Sequence, residues 1–220
     1  MTVSFTRVAR SLLLVMALGR VATAQTFSAD IVTTTASGAN VRRGRVYVSH
    51  TMVRIETPEI PTGFFLVDSE RNAAWFVRPE QRLFMDARLS SPLTQSLVVV
   101  DPENPCPQWQ TREANASPVP IRRDQWKCEP VAKDALEGRE TLRYRVRSLQ
   151  NRDSDRWVDV ALRFPLRIES ADGVVVVEHV VDAPQPSELF SIPPAFHKFD
   201  PVELLHRMEH SDVLVAPPGQ

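Results

Sequence analysis

Between residues 27 and 86 the sequence is cut into short β-branched and aromatic runs, each closed by turn residues. Residues 27–35 open the series, and Ser37-Gly38-Ala39-Asn40 breaks it. Residues 45–49 and 52–56 read as the arms of a hairpin turning at Ser49-His50-Thr51, with Thr57-Pro58 and Pro61-Thr62-Gly63 stopping the second arm. Residues 64–68, 74–78 and 82–86 follow, separated by turn-formers at 69–72 and 79–81. Apolar runs of this length at this spacing predict antiparallel strands in an up-and-down meander. Long helices are excluded by the same pattern and by the 18 Pro in 220 residues, since Pro removes a backbone donor and clashes with the preceding turn.

A second strand-rich block spans 139–181. Leu142, Tyr144 and Val146 alternate with Arg143, Arg145 and Arg147, which predicts a half-buried antiparallel strand with a solvated outer face. Residues 156–162 and 164–169 follow, with a bulge or kink expected at Pro165. Asp172-Gly173 is a hairpin turn leading into a valine-rich strand. In that strand Val174, Val176 and Val180 are placed on one face and Val175, Val177 and Val181 on the other. Both faces are apolar, so both must be covered. In a curved sheet one face packs on a helix or loop while the other lines a cavity.

The two blocks are separated by a different kind of sequence. Residues 87–100 predict one helix, with Leu89, Leu93 and Leu97 on one face and an N-cap at Ser90 or Ser91 before Pro92. Residues 101–135 are Pro-rich and read as a loop insertion. Beyond 181, Pro184, Pro186, Pro193 and Pro194 end the regular structure; an edge strand is expected at 189–192 and a short helix at 202–208, starting at Asp200-Pro201. No internal repeat and no second composition regime occurs. The expected organisation is one domain over 25–220, with 101–135 as an insertion and 200–220 as a tail.

Residues 1–24 read as a secretory signal peptide. Arg7 and Arg10 precede the apolar run 12–18, and Ala22-Thr23-Ala24 is a cleavage site before Gln25. The apolar run is too short to span a bilayer, and no Cys stands at the cleavage point. Cleavage would remove three Arg and no acid, moving the formal charge from −1 to a mildly acidic value. Export into an oxidising compartment makes a Cys106–Cys128 disulfide the default for the two cysteines.

Composition narrows the function classes. At 43% hydrophobic and 24% charged the chain is globular rather than disordered. Near-neutral charge excludes a basic nucleic-acid binder, and 7 Gly leave little material for phosphate-cradling loops. His206-Arg207-Met208-Glu209-His210 fits the H-x-x-E-H zinc motif, but it lies on a charged tail where only Asp212 could add a ligand. Asp68, Asp86, Asp159 and Glu169 are conceivable acid–base carboxylates, but no pattern brings two together. The sequence thus points to no catalytic, cofactor or metal site. Its strand aromatics suggest instead a concave apolar surface, with Phe65, Trp75, Val77, Phe84, Tyr144, Trp157 and Val176 as candidate cavity residues.

The order of motifs resembles a known family. Val46-Tyr47-Val48 with Met52-Val53-Arg54-Ile55-Glu56 is similar to a hairpin of exported proteins with the lipoprotein-carrier (LolA/LolB-like) half-barrel fold, and more specifically of their DUF4412-type branch. Val67-Asp68, Trp75-Phe76, Pro79-Glu80-Gln81 and Phe84-Met85 resemble its meander. Cys128, Glu137-Gly138-Arg139-Glu140-Thr141, Tyr144, Trp157-Val158-Asp159 and Leu189-Phe190-Ser191-Ile192-Pro193 resemble its later part. The resemblance implies a β-rich α+β protein built on an unclosed antiparallel half-barrel, covered by one or two short helices and able to accept acyl chains. It implies a soluble periplasmic location and no catalysis. It transfers no binding residue and no role in lipoprotein transport. The expectation is a monomeric, non-enzymatic exported protein holding a hydrophobic ligand or a lipidated protein. The alternative is a cell-envelope interaction or sensor module whose concavity is filled by its own side chains.

Overall fold

The computed structural model describes residues 25–39, 41–116, 126–147, 153–201 and 206. The signal-like segment 1–24, the expected terminal helix apart from His206, and every residue of the H-x-x-E-H motif after His206 lie outside the described residues. No described helix is long and apolar enough to cross a membrane.

Among the described residues twelve strands form a single unclosed sheet. In chain order they are β1 (Thr26–Thr35), β2 (Val41–Ser49), β3 (Met52–Glu56), β4 (Phe64–Asp68), β5 (Ala73–Arg78), β6 (Leu83–Asp86), β7 (Lys127–Leu136), β8 (Arg139–Arg147), β9 (Ser154–Asp159), β10 (Phe164–Ser170), β11 (Gly173–Val181) and β12 (His197–Lys198). Their order across the sheet is β12-β6-β5-β4-β3-β2-β1-β11-β10-β9-β8-β7. The two blocks read from the sequence are therefore two meanders joined where β1 pairs with β11. All pairings are antiparallel except β12 with β6.

Register decides which side chains face inward. Phe27, Ala29 and Ile31 of β1 stand opposite Val48, Val46 and Gly44 of β2. Val53 and Ile55 continue this face on β3, Phe65 and Val67 on β4, and Ala74 and Phe76 on β5. From the other meander come Tyr144, Val146, Val158, Phe164, Ile168, Val175 and Val177. Phe27 and Phe164 are both fully buried and meet edge-to-face at 5.4 Å. The added residue in β10 falls between Pro165 and Arg167, beside the Pro where the sequence predicts a bulge.

Two short helices cover this inner face: α1 (Pro92–Ser96) and α2 (Cys106–Asn115). Ser91 caps α1 by accepting from the Leu93 backbone N–H, and Pro92 fills the first turn, where its missing donor costs nothing. The helix expected across 87–100 is thus cut to a short core. Leu89 is exposed outside it, while Val98-Val99-Val100 runs on as buried non-helical chain, as three successive β-branched residues favour.

The reading of 101–135 as loop is corrected: it contains α2 and most of β7. Three of its described prolines sit where regular structure tolerates them. Pro105 is the residue before α2, Pro107 lies in its first turn, and Pro130 is in an outermost strand beside a break in the β7–β8 register. Cys106 and Cys128 are disulfide-bonded with Cα atoms 5.7 Å apart, tying α2 to β7.

Two further expectations change. Residues 187–190 form a 3-10 turn rather than an edge strand; the added strand is β12. The valine strand also breaks its alternation: His179 has φ 53°, and two β11 residues are inserted where β1 places only Ala29. Val180 consequently packs against the core with Val177, while Val181 is exposed. The same break brings the His179 ring within 3.9 Å of Glu178 and 3.2 Å of Asp30, at the surface.

Two outcomes test this architecture. Replacing both Cys106 and Cys128 by Ala should lower unfolding free energy by about 3 kcal/mol through the freed loop, and wild-type protein should show no free thiol when denatured without reductant. Phe164→Ala should cost about 3–5 kcal/mol, measured by chemical denaturation, because it opens a cavity under the β1–β10 aromatic contact.

Candidate functional site

The helical cover is fastened at one end of the sheet. Arg112 of α2 is 5% exposed, and its Nη2 donates to the Asp68 carbonyl at 2.6 Å. Gln108 Nε2 donates to the Val99 carbonyl at 2.7 Å and to the Ser69 carbonyl at 3.2 Å. The Val99 N–H in turn donates to Ser69 Oγ at 3.0 Å. Tyr144 donates its hydroxyl to the Pro102 carbonyl at 2.8 Å and meets Trp109 edge-to-face. Burial, seconded by Asp101 and Glu103, raises the Tyr144 pKa, so it remains a donor. Around these contacts Leu97, Val98 and Val100 fill the concave face.

At the other end the concave face is not filled. A cavity of about 460 Å³ lies between the sheet and the helices. Ile31, Phe65, Leu93, Trp109, Ile168 and Val175 give it apolar walls. The space persists because small residues stand where large ones would close it: Thr33 and Gly44 on the first meander, Ser90 before α1 and Ser96 at its end, Ser154 and Ser170 on the second meander. Gly44 is held small by the fold, since a Cβ there would meet the Glu56 carbonyl oxygen at 2.5 Å. Gly173, with φ +143°, lets the β10–β11 turn close against Thr34 at the rim.

Arg156 of β9 brings a charge into this wall, with no carboxylate in ion-pair contact among the described residues. It stands opposite Tyr144 and Ile168 in the register, so its side chain is on the concave face. Its guanidinium carbon is 4.7 Å from the centre of the Trp109 ring, and Nε donates to Ser154 Oγ at 3.1 Å. Burial pulls its pKa down to about 10, with Glu113 opposing, so it stays cationic at neutral pH. Arg112, also drawn down to about 10 by burial, differs in giving its two terminal nitrogens to the backbone carbonyls of Thr94 and Asp68.

The sequence-predicted cavity residues divide between the two faces. Phe65 lines the cavity. Tyr144 is on the same face but within the filled part. Trp75, Val77 and Phe84 are on the opposite face, packed with Phe64 and Leu66 under Phe190, Ile192 and Phe196 of the C-terminal segment. Trp157 is also outward, with Arg143 and Arg167 over its ring at 4.7 and 5.7 Å. Val176 pairs with Arg167 and Val32 on that side. The sequence does not single out Ile31, Trp109, Arg156, Ile168 or Val175. For Arg156 the available signal is phase: it stands two residues from Val158, and matching that pair to the inward series of β8 flags it.

The four carboxylates conceivable as acid–base groups are each committed to local structure. Asp68 accepts from the backbone of Glu70 and Arg71, Asp86 binds Arg88, Asp159 accepts from Leu162 N–H at 2.7 Å, and Glu169 binds Arg167. Two of the outward arginines of β8 are paired too, Arg143 and Arg145 with Asp155, whose pKa is lowered chiefly by its bond from Arg145. Among the described residues no group of three His, Cys, Asp or Glu is placed to hold a metal ion.

No protein-family model and no curated protein matches the sequence. Solved structures superpose on it in part. An uncharacterized conserved protein from Thermus thermophilus superposes with a TM-score of 0.47 at 11% identity, covering 81% of this chain and 91% of that one. A LolA superfamily protein from Nitrosomonas europaea gives 0.38 at 11% identity, covering 77% and 91%. MucB gives 0.38 at 13% identity; the match covers 76% of this chain and 57% of MucB. Fold and site together define the class: an unclosed antiparallel half-barrel enclosing an apolar cavity beneath a helical cover.

If Arg156 serves a ligand rather than the fold, its removal should not weaken the protein. Arg156→Met is expected to leave the thermal transition unchanged or higher, because a desolvated cation is replaced by a flexible apolar side chain. A clear fall in Tm would assign the residue a structural role.

Proposed function

We propose that this chain is a non-enzymatic, exported binding protein that works in the periplasm and holds the apolar chain of a lipid or of a lipidated partner. The observation that carries the reading is the cavity of about 460 Å³, walled by both meanders and by α1 and α2. Its volume falls in the range of roughly 300–1,000 Å³ typical of small-molecule sites. Each methylene of a bound chain transferred from water would contribute about 0.8 kcal/mol, so a chain of about ten would supply roughly 8 kcal/mol toward the cost of immobilising the ligand. The signal-like segment 1–24 and the Cys106–Cys128 bridge support export.

Protein purified from a periplasmic extract without detergent should carry lipid visible by native mass spectrometry, and the stripped protein should bind an acyl-fluorophore. Val175→Trp, which drives an indole into the cavity from β11, should weaken that binding by about tenfold or more, with the fold retained by circular dichroism. Lipid-free protein that also fails to bind the fluorophore would overturn the proposal in favour of a protein-interaction module.

A further inference from the structure

The cavity carries a chemical preference in its wall. Trp109 is 2% exposed, lines the space, and has an indole N–H with no acceptor among the described residues. Arg156 lies over the same indole and also lines the space. Its only hydrogen bond among the described residues is from Nε to Ser154, which leaves the two terminal nitrogens without an acceptor there. A buried donor is normally paired, so the Trp109 N–H beside the partly exposed, unspent end of Arg156 marks where an acceptor fits. The nearby carboxylate, Glu113, accepts from Trp126 Nε1 at 2.8 Å and reaches Arg156 through its field.

Resting on the binding reading above, we propose that the occupant is a single-chain carboxylate amphiphile of the fatty-acid type. Its carboxylate lies on Arg156, beside the Trp109 N–H, and its tail runs along Ile31, Phe65 and Val175. Three features select this class. The terminal nitrogens of a guanidinium form a planar fork that matches a carboxylate in two parallel bonds. Of the arginines lining the cavity, Arg42 and Arg43 are paired with Glu59 and Glu178, so Arg156 with Glu113 close by is the cation left for a head group, which suits a monoanion better than a dianion. A space of about 460 Å³ accommodates one tail rather than the two of a phospholipid. A cationic head would meet Arg156 as a like charge.

The test compares heads on one tail. Dodecanoate, dodecanol and dodecyltrimethylammonium are titrated, below their micellar concentrations, against stripped protein holding a neutral acyl-fluorophore. Wild-type protein should bind dodecanoate about tenfold or more tighter than dodecanol, as expected for a charge-assisted pair, and dodecyltrimethylammonium least. Arg156→Gln should abolish the preference for dodecanoate, weakening dodecanoate far more than dodecanol, and Arg156→Lys should restore part of it. Equal wild-type affinities for dodecanoate and dodecanol would overturn the head-group assignment and leave the cavity reading standing. Failure of all three to displace the fluorophore, or of the fluorophore to bind, would overturn both. The wild-type comparison decides the matter even where a variant does not fold.

Discussion

The position of α2 governs the rest of the molecule. One buried guanidinium, Arg112, fixes it by donating to the Asp68 carbonyl at the end of β4, and Gln108 adds bonds to Ser69 and Val99. A buried cation is costly unless its donors find acceptors, so this clasp holds α2 in one place over the concave sheet. The disulfide anchors the helix's first residue to β7 on the far side of the same sheet. Held at both points, the cover closes part of the concavity and leaves the remainder under small side chains. The cavity follows from where the cover is fastened.

The two sheet faces then take different roles. Inward, the first and second meanders share one core, with Phe27 against Phe164 at the centre. Outward, the aromatics of β4–β6 are sealed by the returning C-terminal segment, whose β12 extends the sheet edge at β6. The outer face of β8–β10 is instead covered by arginines stacked on Trp157 and paired with Asp155 and Glu169. A sheet apolar on both sides is thus covered twice by different means: helices inside, chain tail and ion pairs outside.

Several elements are legible in the sequence because their signals are local. The bounds of β3 and β4, the Ser91–Pro92 helix start and the Asp172-Gly173 turn each follow from a few adjacent residues. The cavity residues are less legible. On β4 and β5 nearly every position is apolar, so periodicity cannot say whether Phe65 or Phe64, Trp75 or Phe76, points inward. Register chooses Phe65 and Phe76, and it places Trp75, Val77, Phe84, Trp157 and Val176 on the far face. The helix inside 101–135 is hidden by its Pro content taken as an average, whereas what matters is where in a helix or strand each Pro falls.

The sequence by itself determined a chain of short antiparallel strands in two blocks, a pair of cysteines positioned to join, and a sheet needing cover on both faces. These rest on turn chemistry and on alternation, which operate between neighbours. The tertiary structure decided which face is concave, how far the helices close it, and that Arg156 stands in its wall beside Trp109. Those depend on register between strands far apart in the chain and on the two tethers of α2. A shift of one residue in pairing exchanges the two faces of a strand, and no local pattern in an all-apolar strand records which was taken.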